Sequence, residues 1–255
     1  MSFYFRRLDH ITVSLGTVRT ACQILNDATL IAYYPFNTVD TLSDRSVSLC
    51  NGIAGSVSTV SNGFSGEALL FSSSASYFQA QCFSTVRLLD PAFTVSIWIY
   101  PNDTITGGSL IHLSTGATGN GTCHDMLVFT STGTLVMQWI NNGGTVVSAI
   151  QGPQISINTW THIAAVFSPG NGGRLYINGQ LFVYTTSTGS LSYYDYQSQM
   201  YMTVGNISPL GATATITCNN GSIPIEPGAY KGMIDELRLY NRELNSQEIC
   251  VLANL

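Results

Sequence analysis

The sequence predicts an all-β protein, one antiparallel sandwich of about a dozen or more strands. Three observations carry this. Short apolar runs rich in β-branched and aromatic residues recur from residue 30 to the end. Clusters of Gly, Asn, Pro and Ser, the residues that turns favour, separate them. Long helical periodicity is confined to the C-terminal tail and to Thr20–Asp27.

The elements follow in order. Leu30-Ile31-Ala32-Tyr33-Tyr34-Pro35-Phe36 opens the domain as an apolar, β-rich run. Thr94–Tyr100 places Val95, Ile97 and Ile99 on one face and Trp98 and Tyr100 on the other. Similar runs lie at Ser109–Leu113, Met126–Thr130, Thr134–Ile140 and Thr145–Ile150. Others follow at Trp160–Phe167, Arg174–Ile177, Leu181–Thr185 and Met200–Val204. Asn178-Gly179 between two of them is a strong hairpin signal, because both turn positions require positive φ. Ile234, Leu237, Leu239 and Tyr240 then mark a long closing strand. It carries Asp235, Glu236 and Arg238; regular alternation would put Asp235 and Glu236 on opposite faces. A short helix ends the chain. Asn245 and Glu248 have capping-box spacing, and Ile249, Val251 and Leu252 supply its apolar face.

No composition shift marks a boundary after residue 30, so residues 26–255 read as one domain. Residues 1–25 read as an N-terminal extension with strand character. Ile11-Thr12-Val13-Ser14-Leu15 alternates cleanly after aromatic Phe3, Tyr4 and Phe5. Such a strand packs on its own domain or is added to a neighbour's sheet.

Only 9% of residues are charged, against roughly 25% in an ordinary soluble domain. Lys231 is the single lysine. A surface this poor in charge resists association weakly, so attached sugar or bound partners are expected to cover it. The net charge of −5, without a basic stripe, excludes a nucleic-acid partner. No run approaches the ~18 apolar residues of a membrane span. Arg6 and Arg7 are followed by Asp9 and His10 rather than by an apolar stretch, so no signal peptide is read here.

The six cysteines, Cys22, Cys50, Cys82, Cys123, Cys218 and Cys250, include no C-x-x-C pair. Zinc is therefore not expected. Scattered cysteines in even number suit disulfides and an oxidising compartment. If the termini meet, Cys22–Cys250, Cys50–Cys82 and Cys123–Cys218 form one set; buried free thiols are the alternative. Four N-x-S/T sequons begin at Asn102, Asn120, Asn206 and Asn220. Together with the cysteines they point to an extracellular glycoprotein, secreted or on a cell surface, whose leader was removed or lies upstream. Chance sequons in a Ser/Thr-rich chain are the competing reading.

Several motifs, in order, carry a resemblance. They are Ala32-Tyr33-Tyr34-Pro35-Phe36-Asn37, Asp44-Arg45-Ser46, Asn51-Gly52 and Gly66-Glu67-Ala68-Leu69-Leu70-Phe71. Phe93–Pro101, Trp160–Phe167, Leu175–Gln180 and the closing Tyr230–Leu244 complete the set. The region from about residue 30 to residue 255 resembles the LamG-like jelly-roll family of the concanavalin A-like lectin/glucanase fold. The resemblance implies two curved antiparallel sheets face to face, with first and last strands adjacent. It also implies a structural calcium ion held by Asp44 and Asp235, completed by carbonyl oxygens. An ion pair with an arginine, or capping of backbone N–H groups, would use the same carboxylates.

Glucanases of this fold gather carboxylates about the scissile bond. No E-x-D-x-x-E pattern occurs here, and His10, His112, His124 and His162 stand in unrelated contexts. A glycan-active enzyme is the remote reading. The leading reading is a non-catalytic structural or adhesive module that self-assembles into a fibre or array through Ile11, Val13 and Leu15. The alternative is a calcium-dependent, carbohydrate-binding lectin. Tyr193, Tyr194 and Tyr196 would be its aromatic platform, since tyrosine is rigid and amphipathic. Partners are thus a homo-oligomer, a glycan or a protein ligand, and the covalent groups are glycans.

Overall fold

The computed structural model describes residues 27–81, 92–141, 146–186, 200–211, 216–218 and 220–254. After a 3-10 turn at Asp27–Thr29 come β1 (Leu30–Tyr34), β2 (Ile53–Gly55), β3 (Val57–Val60), β4 (Ala68–Phe71) and β5 (Tyr77–Ala80). Then follow β6 (Phe93–Pro101), β7 (Ser109–Ser114), β8 (Cys123–Phe129), β9 (Thr134–Asn141) and β10 (Val146–Gln154). The last strands are β11 (Thr161–Ser168), β12 (Gly172–Ile177), β13 (Gln180–Tyr184), β14 (Tyr201–Val204) and β15 (Gly232–Tyr240). Helix α1 (Ser246–Leu252) closes the chain.

The strands form two antiparallel sheets. One runs β13-β12-β11-β6-β15-β4-β3, with β1 also on β15; the other runs β10-β9-β8-β7-β14-β5-β2. This is the jelly-roll sandwich read from the sequence. The first strand lies on the last, with Tyr34 opposite Leu237. Strands β2, β3, β4 and β5 have no counterpart among the expected runs, although β4 falls within the Gly66–Phe71 motif of the resemblance. Each is only three or four residues long, and β2 and β3 are largely half-buried, so neither length nor alternation announces them.

The inner faces supply one core. Val95, Ile97 and Ile99 of β6 meet Met137 and Trp139 of β9 and Phe78 of β5 within it. The outer face of the β15 sheet holds a second cluster, where Ile249 and Leu252 of α1 cover Ala164, Val166 and Tyr176. The helix starts as its sequence requires. The Asn245 side chain accepts from the N–H groups of Gln247 and Glu248, and Glu248 accepts from the Asn245 N–H.

One expectation is corrected on β15. Ile234 and Leu237 both enter the inner core, which strict alternation does not permit three residues apart. The register with β6 shifts between Asp235 and Arg238, and Glu236 takes φ 53°. Glu236 is the extra residue of a β-bulge. Asp235 and Glu236 therefore do not alternate as in a regular strand.

Candidate functional site

At one end of the sandwich, β6 passes into residues 102–108, and residues 220–231 arrive at the start of β15. These segments form the walls of a cleft of about 250 Å³. Backbone hydrogen bonds join the walls. Gly108 N–H donates to Glu226 O at 2.7 Å, Ser109 N–H to Gly228 O at 2.9 Å and Asn102 N–H to Lys231 O at 3.4 Å. Gly107 and Gly108 have φ of +135° and +111°, conformations that favour glycine. Tyr230 also lines the cleft. Its ring is fully buried against Phe129 and Phe71, and burial pushes its hydroxyl well above the ordinary tyrosine value.

The polar groups of the cleft are Asp103, Thr104, Thr106, Glu226 and Lys231. Asp103, Glu226 and Lys231 are exposed. Carboxylates accept from vicinal hydroxyls, and an ammonium donates to hydroxyl or ring oxygens. At the same end of the β15 sheet, the rings of Tyr100 and Trp160 lie 5.5 Å apart, with Phe64 6.3 Å from Trp160. Tyr100, Trp160 and Phe64 are half-buried. Flat apolar rings beside a polar cleft suit a ligand with both C–H faces and hydroxyl edges.

The sequence-derived carboxylates serve other ends. Asp44 is buried, and its Oδ1 accepts from the N–H groups of Tyr33 and Ser46, both at 2.8 Å. Its Oδ2 accepts from Ser46 Oγ at 2.7 Å and Cys50 N–H at 2.8 Å. Four donors surround it, so this carboxylate organises the loop between β1 and β2. Asp235 accepts from Ser65 N–H at 2.9 Å and Glu236 N–H at 2.7 Å. Burial pushes its carboxyl up to about 7. Calcium needs six to eight oxygen ligands, and the N–H groups aimed at Asp44 occupy the lone pairs an ion would need. The donor set around Asp44 does not suit a calcium ion. Both carboxylates cap backbone N–H groups.

Asn102, Asn120 and Asn220 are exposed. Asn206 is different: it is 1% exposed, and its side-chain amide donates to Ser74 O at 3.0 Å and Ser76 O at 3.1 Å. A glycan there would break both bonds and find no space, so the expectation of a glycan on Asn206 is corrected. Cys123 and Cys218 form a disulfide. Cys50 and Cys250 are also disulfide-bonded. Ile11, Val13, Leu15, Cys22, Cys82, Tyr193, Tyr194 and Tyr196 lie outside the described residues.

The three described histidines, His112, His124 and His162, are structural. His162 Nε2 meets Ser96 Oγ at 2.8 Å, and burial pushes its imidazole down to about 3, as it does for His124. His112 faces the Asp125 carboxylate at 3.1 Å and Gly119 O at 2.8 Å. Its ligand atoms lie within 4.8 Å of Cys123 and Cys218, but those sulfurs are bonded to each other and offer no thiolate to a metal.

Residues 72–250 match the model of the concanavalin A-like lectin/glucanases superfamily. The chain belongs to this superfamily. It matches no curated protein sequence. Among solved structures, it is similar to domain 4 of AbnA, a GH43 extracellular arabinanase from Geobacillus stearothermophilus, solved with arabinotriose. The identity is 18%, the TM-score 0.56, and the match covers 88% of this chain and 98% of that domain. The binding domain of Paraclostridial Mosquitocidal Protein 1 matches with TM-score 0.62 and 18% identity over 89% of this chain and 52% of that one. The botulinum neurotoxin serotype G binding domain matches with TM-score 0.60 and 16% identity over 88% and 50%. The chain thus spans about half the length of these toxin binding domains. At such identities the likeness is one of fold.

Sequence reasoning missed Asp103, Glu226 and Lys231. Two signals were available: the Gly107-Gly108 pair and the placement of the single lysine beside the closing strand.

Proposed function

We propose that this protein is a non-catalytic, extracellular carbohydrate-binding module whose ligand lies in the cleft between residues 102–108 and 226–231. The observation that carries this reading is the cleft itself, where hydroxyl-pairing Asp103, Glu226 and Lys231 stand on a backbone-stitched frame. The arabinanase domain solved with arabinotriose supports it by analogy of fold. Tyr100 and Trp160 extend the surface that a sugar chain would follow. A glycoside hydrolase needs two carboxyls set about the scissile bond in a site that shields them from water, whereas Asp103 and Glu226 are both exposed. Adhesion is part of this reading, because a module that holds glycans on another surface adheres to it. Glycans on Asn102, Asn120 and Asn220 would provide the hydration that charge does not.

The test is a glycan array followed by calorimetry on the best hit, using wild type, Glu226→Gln and Lys231→Met. Each substitution is expected to weaken binding about tenfold, the loss of one charge-assisted hydrogen bond. Binding unchanged in both variants, or cleavage of the bound glycan, would sink the proposal.

A further inference from the structure

The β15 sheet ends on β13, which pairs with β12 and has no strand on its other side among the described residues. Its sequence Gln-Leu-Phe-Val-Tyr has no charge and no proline. Leu181, Phe182 and Tyr184 are 48%, 53% and 62% exposed. An edge of this kind recruits another strand unless something covers it.

The cysteines show what lies near. Helix α1 passes over the turn that starts β13: a Cβ on Gly179 would lie 3.6 Å from the Cys250 Cα. Cys250 and Cys50 are both disulfide-bonded, Cys123 is joined to Cys218, and no described cysteine is free. Cys22 and Cys82 remain as partners. On β2 and β5, Ile53 pairs with Gln79 and Gly55 with Tyr77. Continued by three residues, that register would set position 50 opposite position 82. Directly opposed antiparallel positions have the Cα separation a disulfide requires. That register would match Cys50 to Cys82 and leave Cys22 for Cys250.

We propose that residues 11–15 of this chain add to the free edge of β13 as an antiparallel strand, tethered by a Cys22–Cys250 disulfide. The direction follows from the tether. Cys22 is placed where β13 begins, and the chain from Leu15 to Cys22 runs toward that point while β13 runs away from it. Seven residue steps lead from Leu15 to Cys22, and such a length reaches up to about 23 Å. The other end also closes. Thr29 Oγ1 accepts from Arg242 Nε at 2.7 Å, and Arg242 binds Glu248 in the first turn of α1, two residues before Cys250. The few residues from Cys22 to Asp27 therefore have a short gap to cross. Ile11, Val13 and Leu15 form an apolar row without charge, as β13 does. The tether makes pairing within the chain far more favourable than pairing between copies. This inference is independent of the cleft.

Three measurements on the full chain test it. Non-reducing peptide mapping is expected to find Cys22–Cys250 and Cys50–Cys82; a Cys22–Cys50 link would overturn the tether. Hydrogen exchange is expected to show residues 181–184 protected, with protection falling at least tenfold in Val13→Pro and in Leu15→Asp. Near-ultraviolet dichroism should meanwhile report an intact sandwich. Protection unchanged in both variants means the edge is not covered by this segment, and the proposal falls. Light scattering is expected to find a monomer; a polymer or dimer that both variants dissolve would assign the strand to a second copy and overturn the pairing within one chain.

Discussion

A Cβ placed on Gly107 would stand 2.6 Å from Glu226 Cγ and 2.7 Å from Glu226 O. Two residues more than a hundred positions apart are in this way held so closely that only glycine fits. The contact sets the distance between the cleft walls. Gly107→Ala is expected to force them apart and to strain φ +135°, at about 1–3 kcal/mol. Glycan affinity should fall with the fold intact. Calorimetry against the best array hit measures this, and undiminished affinity would show that the walls do not shape the site.

Cys123–Cys218 ties the chain just ahead of residues 220–231 to the start of β8 and closes a loop of sequence separation 95. Loop-closure entropy predicts a loss of about 4.7 kcal/mol for Cys123→Ser with Cys218→Ser, seen as a lower denaturation midpoint. Hydrogen exchange should rise first in residues 220–231, because the strands on either side keep their ladders. Exchange that rises evenly over both sheets would count against a local anchor.

Buried titrating groups set a pH slope. Asp235 titrates near 7 in the folded chain against 3.8 in the reference, so its stabilisation is full below the reference value and is lost as pH rises through about 7. His124 and His162 titrate near 3 against 6.5, so theirs is full above 6.5 and is lost as pH falls toward 3. Near pH 5 the unfolded chain therefore binds about one proton more than the folded one, two from the histidines less one from Asp235, and the difference shrinks toward pH 6.5 as the unfolded histidines give up half their protons. Stability should fall on acidification with a slope that steepens to about 1.4 kcal/mol per pH unit near pH 5. His162→Gln should flatten that slope to near zero. Denaturant melts at pH 5, 5.8 and 6.5 decide it, and a slope that the variant leaves unaltered would remove His162 from the account.

Glycan occupancy should separate the sequons. Mass mapping of protein expressed through a glycosylating secretory pathway is expected to find Asn206 unmodified. Asn206→Ala should lower stability by about 2–3 kcal/mol, because the Ser74 and Ser76 carbonyls lose their donor. A glycosylated Asn206 would contradict its burial.

The sequence alone determined the sandwich, because alternation, Asn178-Gly179 and the Asn245–Glu248 capping box are local signals that need only neighbouring residues to be read. Only the tertiary structure decided what the charged residues do. The bulge at Glu236 depends on β6, β4 and β1 sharing β15, and the four donors on Asp44 come from β1 and from its own loop as folded. The burial of Asn206 depends on the loop after β4. The cleft depends on Gly107 meeting Glu226, a contact across more than a hundred residues. Its glycine, carboxylates and lysine are ordinary surface residues until chain closure brings them together. Local propensity carries no information on which distant loop will face which, and that is why the fold was legible and the site was not.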